Sequence, residues 1–397
     1  MNYGWFFQNL LNDGRRAAED LFDVLTDVVA DRAETLRNGT EHDEVVLPRD
    51  LAAHRDAQTE WWYYTGHAIT STGREFGFEL VFFKRRTDLD SISIVPLRLF
   101  GNPFYFAHFA ITDITNKRFR YCHRKSANGF LDYPAAMSES HYHLRLGDWS
   151  VREAGGSHIV RSTIDDEVVF EATLTPEKPV VLNGRNGVSF KDAGEASRYF
   201  SYTRLALQGD LTIDGETEHF DGSAWMDREF GTWKPTENQK GWDWFSIQLE
   251  NDCEVMVYQL RNGKGEPSPF SSGTFVEKDG THTAITAEGF SIERLDTWTS
   301  PNTGAKYPSR WRLKVPNRKL ELEITPVLPD QELDTRGTTM IVYWEGSCRV
   351  KGFADGRETG GRAYVELVGY DRSHEAPNLA RFLMGTSWDF VNRVFIK

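Results

Sequence analysis

The sequence predicts an all-β protein made of two antiparallel barrels in tandem, with a short helix at each end of the chain. Three observations carry this. Apolar and polar residues alternate at a period of two along most of the chain, hairpin turn dipeptides separate the alternating runs, and a Trp-rich opening pattern occurs twice. A length of 397 residues exceeds one ordinary core and suits two barrels.

The alternation is clearest where Phe76, Phe78, Leu80 and Phe82 interleave with Glu75, Gly77, Glu79 and Val81. That pattern predicts a strand with one buried face. Further strands are expected at Phe104–Phe106, Val168–Phe170, Leu205–Leu207 and Arg312–Val315. Thr72-Gly73, Asp214-Gly215, Asn262-Gly263, Asp279-Gly280 and Asp355-Gly356 supply hairpin turns between such runs. Strands without interleaved helices exclude a parallel α/β sheet.

The repeated element opens each barrel. Glu60-Trp61-Trp62-Tyr63-Tyr64-Thr65-Gly66 leads through a hairpin into Phe76–Phe83, and Gly241-Trp242-Asp243-Trp244-Phe245-Ser246 leads through Asn251-Asp252 into Glu254–Leu260. A boundary is expected near Gly231–Lys240, where Pro235 breaks the pattern. The predicted organisation is a helical extension over 1–45, barrels over 46–235 and 236–372, and a helical tail over 373–397.

The first helix rests on Leu21, Leu25, Val28 and Val29, with Asn38-Gly39 as its stop, and the second on Leu379, Phe382, Leu383, Phe390, Val391 and Val394. Packing on the barrels is the simple reading of both stripes. Peripheral membrane contact is the alternative, without the Lys/Arg clusters that usually support it.

Composition narrows the function classes. A formal net charge of −13 argues against nucleic acid, whose phosphates it would repel. No stretch reaches the length of uncharged apolar residues that a membrane span needs, and the N-terminus lacks the basic and apolar regions of a signal peptide. Three widely spaced cysteines predict neither a zinc site nor a disulfide framework, so a cytoplasmic location is expected. Sequence motifs of serine hydrolases, P-loops and dinucleotide-binding folds are missing. Aromatic residues make up 13% of the chain, enough to fill sheet cores and also wall an apolar pocket.

The densest candidate for chemistry is Trp225-Met226-Asp227-Arg228-Glu229-Phe230-Gly231. On a strand, Trp225, Asp227 and Glu229 share one face and Met226, Arg228 and Phe230 the other. A carboxyl walled by indoles loses water and holds its proton nearer neutrality. The competing reading is a salt-bridged junction in which Arg228 clamps a carboxylate. Tyr199–Arg204, Tyr343-Trp344-Glu345-Gly346 and Tyr364–Tyr370 read as core strands with satisfied polar groups. His108, inside the apolar run Phe106–Ile111, reads as a core histidine or a cavity wall. His141-Tyr142-His143 puts two imidazoles on one strand face but lacks a third ligand, so no metal is expected.

These residues also carry a family likeness. Leu47-Pro48-Arg49-Asp50, His54, Glu60–Gly66, Phe76–Phe83, Ser201-Tyr202-Thr203-Arg204, Trp225–Gly231 and Gly241–Ser246 resemble, in order, the carotenoid 1,2-hydratase family with its bacterial AttH branch. Tyr307-Pro308-Ser309-Arg310-Trp311, Tyr343–Gly346 and Tyr364–Tyr370 continue it.

The resemblance implies two lipocalin-like (calycin) barrels, a hydrophobic ligand of isoprenoid or polyene type at their junction, and no cofactor. It implies acid-initiated chemistry, in which a protonated carboxyl attacks an alkene, aromatic faces stabilise the cation and water adds. Asp227 or Asp243 is the acid so implied, with Glu229 beside it. Trp62, Tyr64, His108, Tyr202, Trp225, Arg228, Trp244, Tyr258 and Trp344 are the implied ligand contacts. Hydratases of the family carry His where this chain has Arg228 and Trp where it has Phe230, and Arg does not cycle a proton. Three readings stay open: a cofactor-free lyase, a lipid or isoprenoid carrier, and a template for cyclisation.

Overall fold

The computed structural model describes residues 44–371 apart from 89–90, 93–94, 97–100, 129–131, 166 and 233–238. The expected terminal helices, and Pro235 at the expected boundary, lie outside the described residues.

The described chain is β throughout except for 3-10 turns such as Arg49–Leu51. It forms two large antiparallel sheets. The first runs from Thr59–Thr70 to Glu216–Gly231 in sequence, the second from Gln239–Leu249 to Arg357–Val368. In each, the Trp-rich opening strand pairs with both the next strand and the last one. Thr59–Thr70 lies between Glu75–Arg85 and Glu216–Gly231, and Gln239–Leu249 lies between Glu254–Asn262 and Arg357–Val368. The same closure in both halves makes them two copies of one barrel type.

Turn chemistry drives the hairpins where it was expected. Asp214 and Gly215 have φ of 57° and 84°, and Asp355 and Gly356 have 49° and 75°. Two successive positive φ values give the turn whose twist matches that of antiparallel strands.

One expectation is corrected by the packing. The strand Glu75–Arg85 buries nearly all of its residues rather than one face. Phe76, Phe78, Leu80 and Phe82 enter the core of the first barrel, while Val81 joins a separate cluster with Trp244, Tyr258 and Tyr364 of the second. The barrels dock sheet on sheet, so their outer faces become a third hydrophobic layer. Gly77 marks one close approach. A Cβ there would meet the Ser347 Cβ at 2.9 Å and the Tyr364 hydroxyl at 3.0 Å.

Polar bonds fix the docking. Gln248 Nε2 donates to the carbonyls of Thr203 and Ala224 at 2.8 and 3.0 Å, and the Thr112 hydroxyl donates to Gln331 Oε1 at 2.8 Å. Glu254 is buried against Lys178 and Arg204 of the first barrel at 2.8 and 2.6 Å. No helix among the described residues is long and apolar enough to cross a membrane.

Candidate functional site

Strand alternation decides what the docked faces present. On the strand Glu216–Gly231, Met226 and Phe230 point into the first core, and Trp225 joins the junction cluster. Asp227 and Glu229 line a junction cavity of about 210 Å³. Its walls include Trp61, Tyr63, Trp242, Trp244 and Tyr258, and its polar groups include Asp227, Glu229, Lys191, Glu345 and Glu366. Ile341, 39% exposed, borders it from the second barrel.

Asp227 is buried and accepts three hydrogen bonds, from Tyr199 Oη at 2.5 Å, Ser201 Oγ at 2.5 Å and Trp225 Nε1 at 2.6 Å. Burial pushes its carboxyl up, and these bonds restrain the rise to about 6. Glu229 takes a hydrogen bond from Ser197 and pairs with Lys191 Nζ at 2.7 Å. The Lys191 ammonium also lies 4.7 Å from the Tyr258 ring centroid.

The other barrel contributes two carboxyls. Glu345 accepts from the Tyr63 hydroxyl, and Glu366 accepts from Trp242 Nε1 at 2.8 Å. Burial pushes Glu345 well up, with the nearby Glu79 and Glu366 adding to it. Glu366 rises to about 7, again chiefly by burial. The cavity therefore holds carboxyls that keep or exchange a proton near neutrality, facing aromatic walls that stabilise positive charge.

The expected site residues divide between this cavity and the barrel interiors. Asp227, Glu229, His108, Trp244 and Tyr258 line the cavity. Trp225 supports it through its bond to Asp227. His108 Nδ1 is paired with the Tyr343 hydroxyl at 2.7 Å, and burial holds its imidazole well below its ordinary range.

Asp243 is placed elsewhere. It alternates with Trp242 and Trp244, so it faces the second barrel, where Arg261 and Arg294 hold it at 3.1 and 2.9 Å and Tyr370 Oη donates at 2.9 Å. Trp62 and Tyr64 lie in the first core. Tyr64 Oη meets Tyr142 and, at 2.9 Å, His158 Nδ1. Tyr202 packs against the same core, its ring 5.4 Å from His158. Trp344 lies in the second core and donates to the Pro329 carbonyl at 2.8 Å.

Arg228 does clamp a carboxylate, but inside the first barrel. Its guanidinium reaches Glu60 and the carbonyls of Asp50 and Ala52 and lies 3.9 Å over the Trp62 ring. Lys84 and His54 bond the same Glu60 at 2.7 and 3.0 Å. Burial opposes ionisation of Glu60, yet Arg228, the His54 hydrogen bond and Lys84 hold its carboxyl down at about 2. Arg228 thus belongs to this buried ion cluster and is not among the residues that line the junction cavity.

Glu345, Glu366, Tyr63 and Lys191 were not expected at the site. The signal for the two glutamates is a carboxyl next to Tyr343-Trp344 in one strand and between Val365 and Leu367 in the other. His141 and His143 have ring centroids 5.9 Å apart, with His141 in the bend ahead of the strand His143–Leu146. Among the described residues no group of three His, Cys, Asp or Glu could hold a metal ion, and Cys122, Cys253 and Cys348 form no disulfide with one another.

A family model described as AttH-like matches residues 38–370. A candidate AttH of Nitrosomonas europaea is similar at 30% identity, with a TM-score of 0.73 over 83% of this chain and 98% of that one. Kievitone hydratase from Nectria haematococca shares the fold at 15% identity, with a TM-score of 0.65 over 82% of this chain and 93% of that one. Among curated proteins none matches.

Proposed function

The protein belongs to the AttH-like family, and we propose that its junction cavity binds the unsaturated end of an isoprenoid- or polyene-type molecule and adds water across a C=C bond. The observation that carries this reading is the set of carboxyls, buried Asp227 and Glu345 and half-buried Glu366, set among Trp and Tyr faces with no Arg or Lys among the described residues bonded to any of them. A neutral carboxylic acid in such a place protonates an alkene, and the aromatic faces stabilise the tertiary cation that forms. Asp227, held near 6 by burial against three hydrogen bonds, is suited to exchanging a proton with the water. The chemistry asks for no cofactor. A fold neighbour named as a hydratase agrees with water addition.

The cavity of about 210 Å³ is small beside pockets for whole drug-sized ligands, roughly 300–1,000 Å³, so it accommodates one end of a long chain. The test is incubation of the purified protein with a panel of acyclic prenyl compounds, read by mass spectrometry. A gain of one water on a terminal double bond, lost in Asp227→Asn, is expected. No gain across the panel rules hydration out. In that case a retained apolar molecule in native mass spectra, still bound by Asp227→Asn, would identify a carrier.

A further inference from the structure

Glu345 and Glu366 stand directly opposite each other on the paired strands Val342–Ala354 and Arg357–Val368. Opposite residues of an antiparallel pair project to the same face, with Cβ atoms roughly 4.5–5.5 Å apart. Both side chains line the junction cavity. With Glu345 buried and Glu366 half-buried, two carboxyls so close do not readily ionise together, because each charge penalises the other and little water is there to screen it.

Among the described residues no cation is bonded to either of them. Tyr63 faces Glu345 from the first barrel as a hydroxyl donor, and Trp242 gives Glu366 an indole N–H. Glu79 faces them from the strand Glu75–Arg85, 1% exposed, with neither carboxyl oxygen bonded to any described residue. Asp227 and Glu229 add negative charge from the strand Glu216–Gly231, and Tyr343 and Tyr364 flank the pair on its own strands. Lys191, the cavity's lysine, is taken by Glu229.

We propose that Glu345 and Glu366 act as one acid, sharing a proton that they present to the cavity, and that this pair rather than Asp227 is the group that donates to a bound ligand. Three hydrogen bonds to Asp227 favour its ionised form, which makes it the acceptor. The assignment rests on the hydration reading for the step itself. There the pair's O–H bond breaks and its proton joins one alkene carbon with the π electrons. The other carbon becomes a cation, water's oxygen closes on it, and the surplus water proton passes to the Asp227 carboxylate and from it back to the glutamate pair, which restores both groups. Only water is consumed.

The test is isotope-edited infrared spectroscopy of the whole chain with labelled glutamate carboxyls, which reads glutamates apart from Asp227. Glu79 is also expected to hold its proton, so the comparison is made on the Glu79→Gln background. A protonated-carboxyl band is expected at pH 7, diminished by Glu345→Gln and by Glu366→Gln alike and unmoved by Asp227→Asn. Wild-type protein titrated without substitution should show the same band vanish at alkaline pH. The proposal is overturned by the absence of such a band at pH 7, or by a band that survives both substitutions or disappears with Asp227→Asn. Turnover of the panel of acyclic prenyl compounds separates the two readings. A band that behaves as expected without water addition sinks hydration, while water addition without the band sinks the shared acid.

Discussion

The hydroxyl of Tyr63, on the opening strand of the first barrel, donates to the carboxyl of Glu345 in the second. On its own sheet Tyr63 stands opposite Asp227, so one phenol ties the carboxyls of both barrels into a single junction. Its removal strands a buried acceptor, at a cost of about 1–3 kcal/mol. Tyr63→Phe is therefore expected to lower the denaturation midpoint and to weaken retention of an apolar probe in the cavity. Unchanged stability and binding would show that the bond has no such role.

The clearance at Gly77 predicts a second effect. Gly77→Ala places a methyl against Ser347 and Tyr364, and overpacking of this kind costs about 1–3 kcal/mol. The barrels are pushed apart and the cavity distorted, so stability and probe binding should fall together. Full stability in urea titration would mean that the junction yields freely there.

Arg228 and Glu60 form a buried pair with both side chains fully covered. Arg228→Ala leaves the Glu60 charge with only Lys84 and His54 beside it, a loss of about 3–5 kcal/mol. Chemical denaturation should register it.

Asp243 gives a contrasting test. Its ion pairs with Arg261 and Arg294 lie within the second barrel, so Asp243→Asn is expected to reduce stability by several kcal/mol, on the order of 3–5. Probe binding in the junction should persist in the folded fraction. Full stability with lost turnover would instead make Asp243 part of the chemistry.

Stability should depend on pH with two opposite signs. Asp227 is raised from 3.8 to about 6 and Glu366 from 4.5 to about 7, so the folded state holds their protons longer than the unfolded chain does. Their contribution is complete below pH 3.8 and is lost as pH rises through 6 to 7. Glu60 is lowered from 4.5 to about 2, and its contribution is present above pH 4.5 and lost as pH falls through about 2. Asp227→Asn should flatten the decline between pH 3.8 and 6 by roughly 3 kcal/mol, measured as unfolding free energy against pH. A wild-type curve without that decline would contradict the burial of these acids.

Alternation, turn dipeptides and the duplicated Trp-rich opening were enough to read two antiparallel barrels from residue order alone, because each is a local property of the backbone. The two faces of Trp225–Phe230 were legible for the same reason. What the order of residues left undetermined was which face looked where. Trp61 and Trp62, Tyr63 and Tyr64, and Tyr343 and Trp344 are all aromatic on both phases of their strands, so hydrophobicity does not mark the core side. Trp62, Tyr64 and Trp344 fill barrel interiors, and Trp61, Tyr63 and Tyr343 line the cavity. Docking of the barrels made that choice, since it turned an outer face into buried surface. It also brought Glu345 beside Tyr63 across 282 positions of sequence, a proximity that only long-range packing creates.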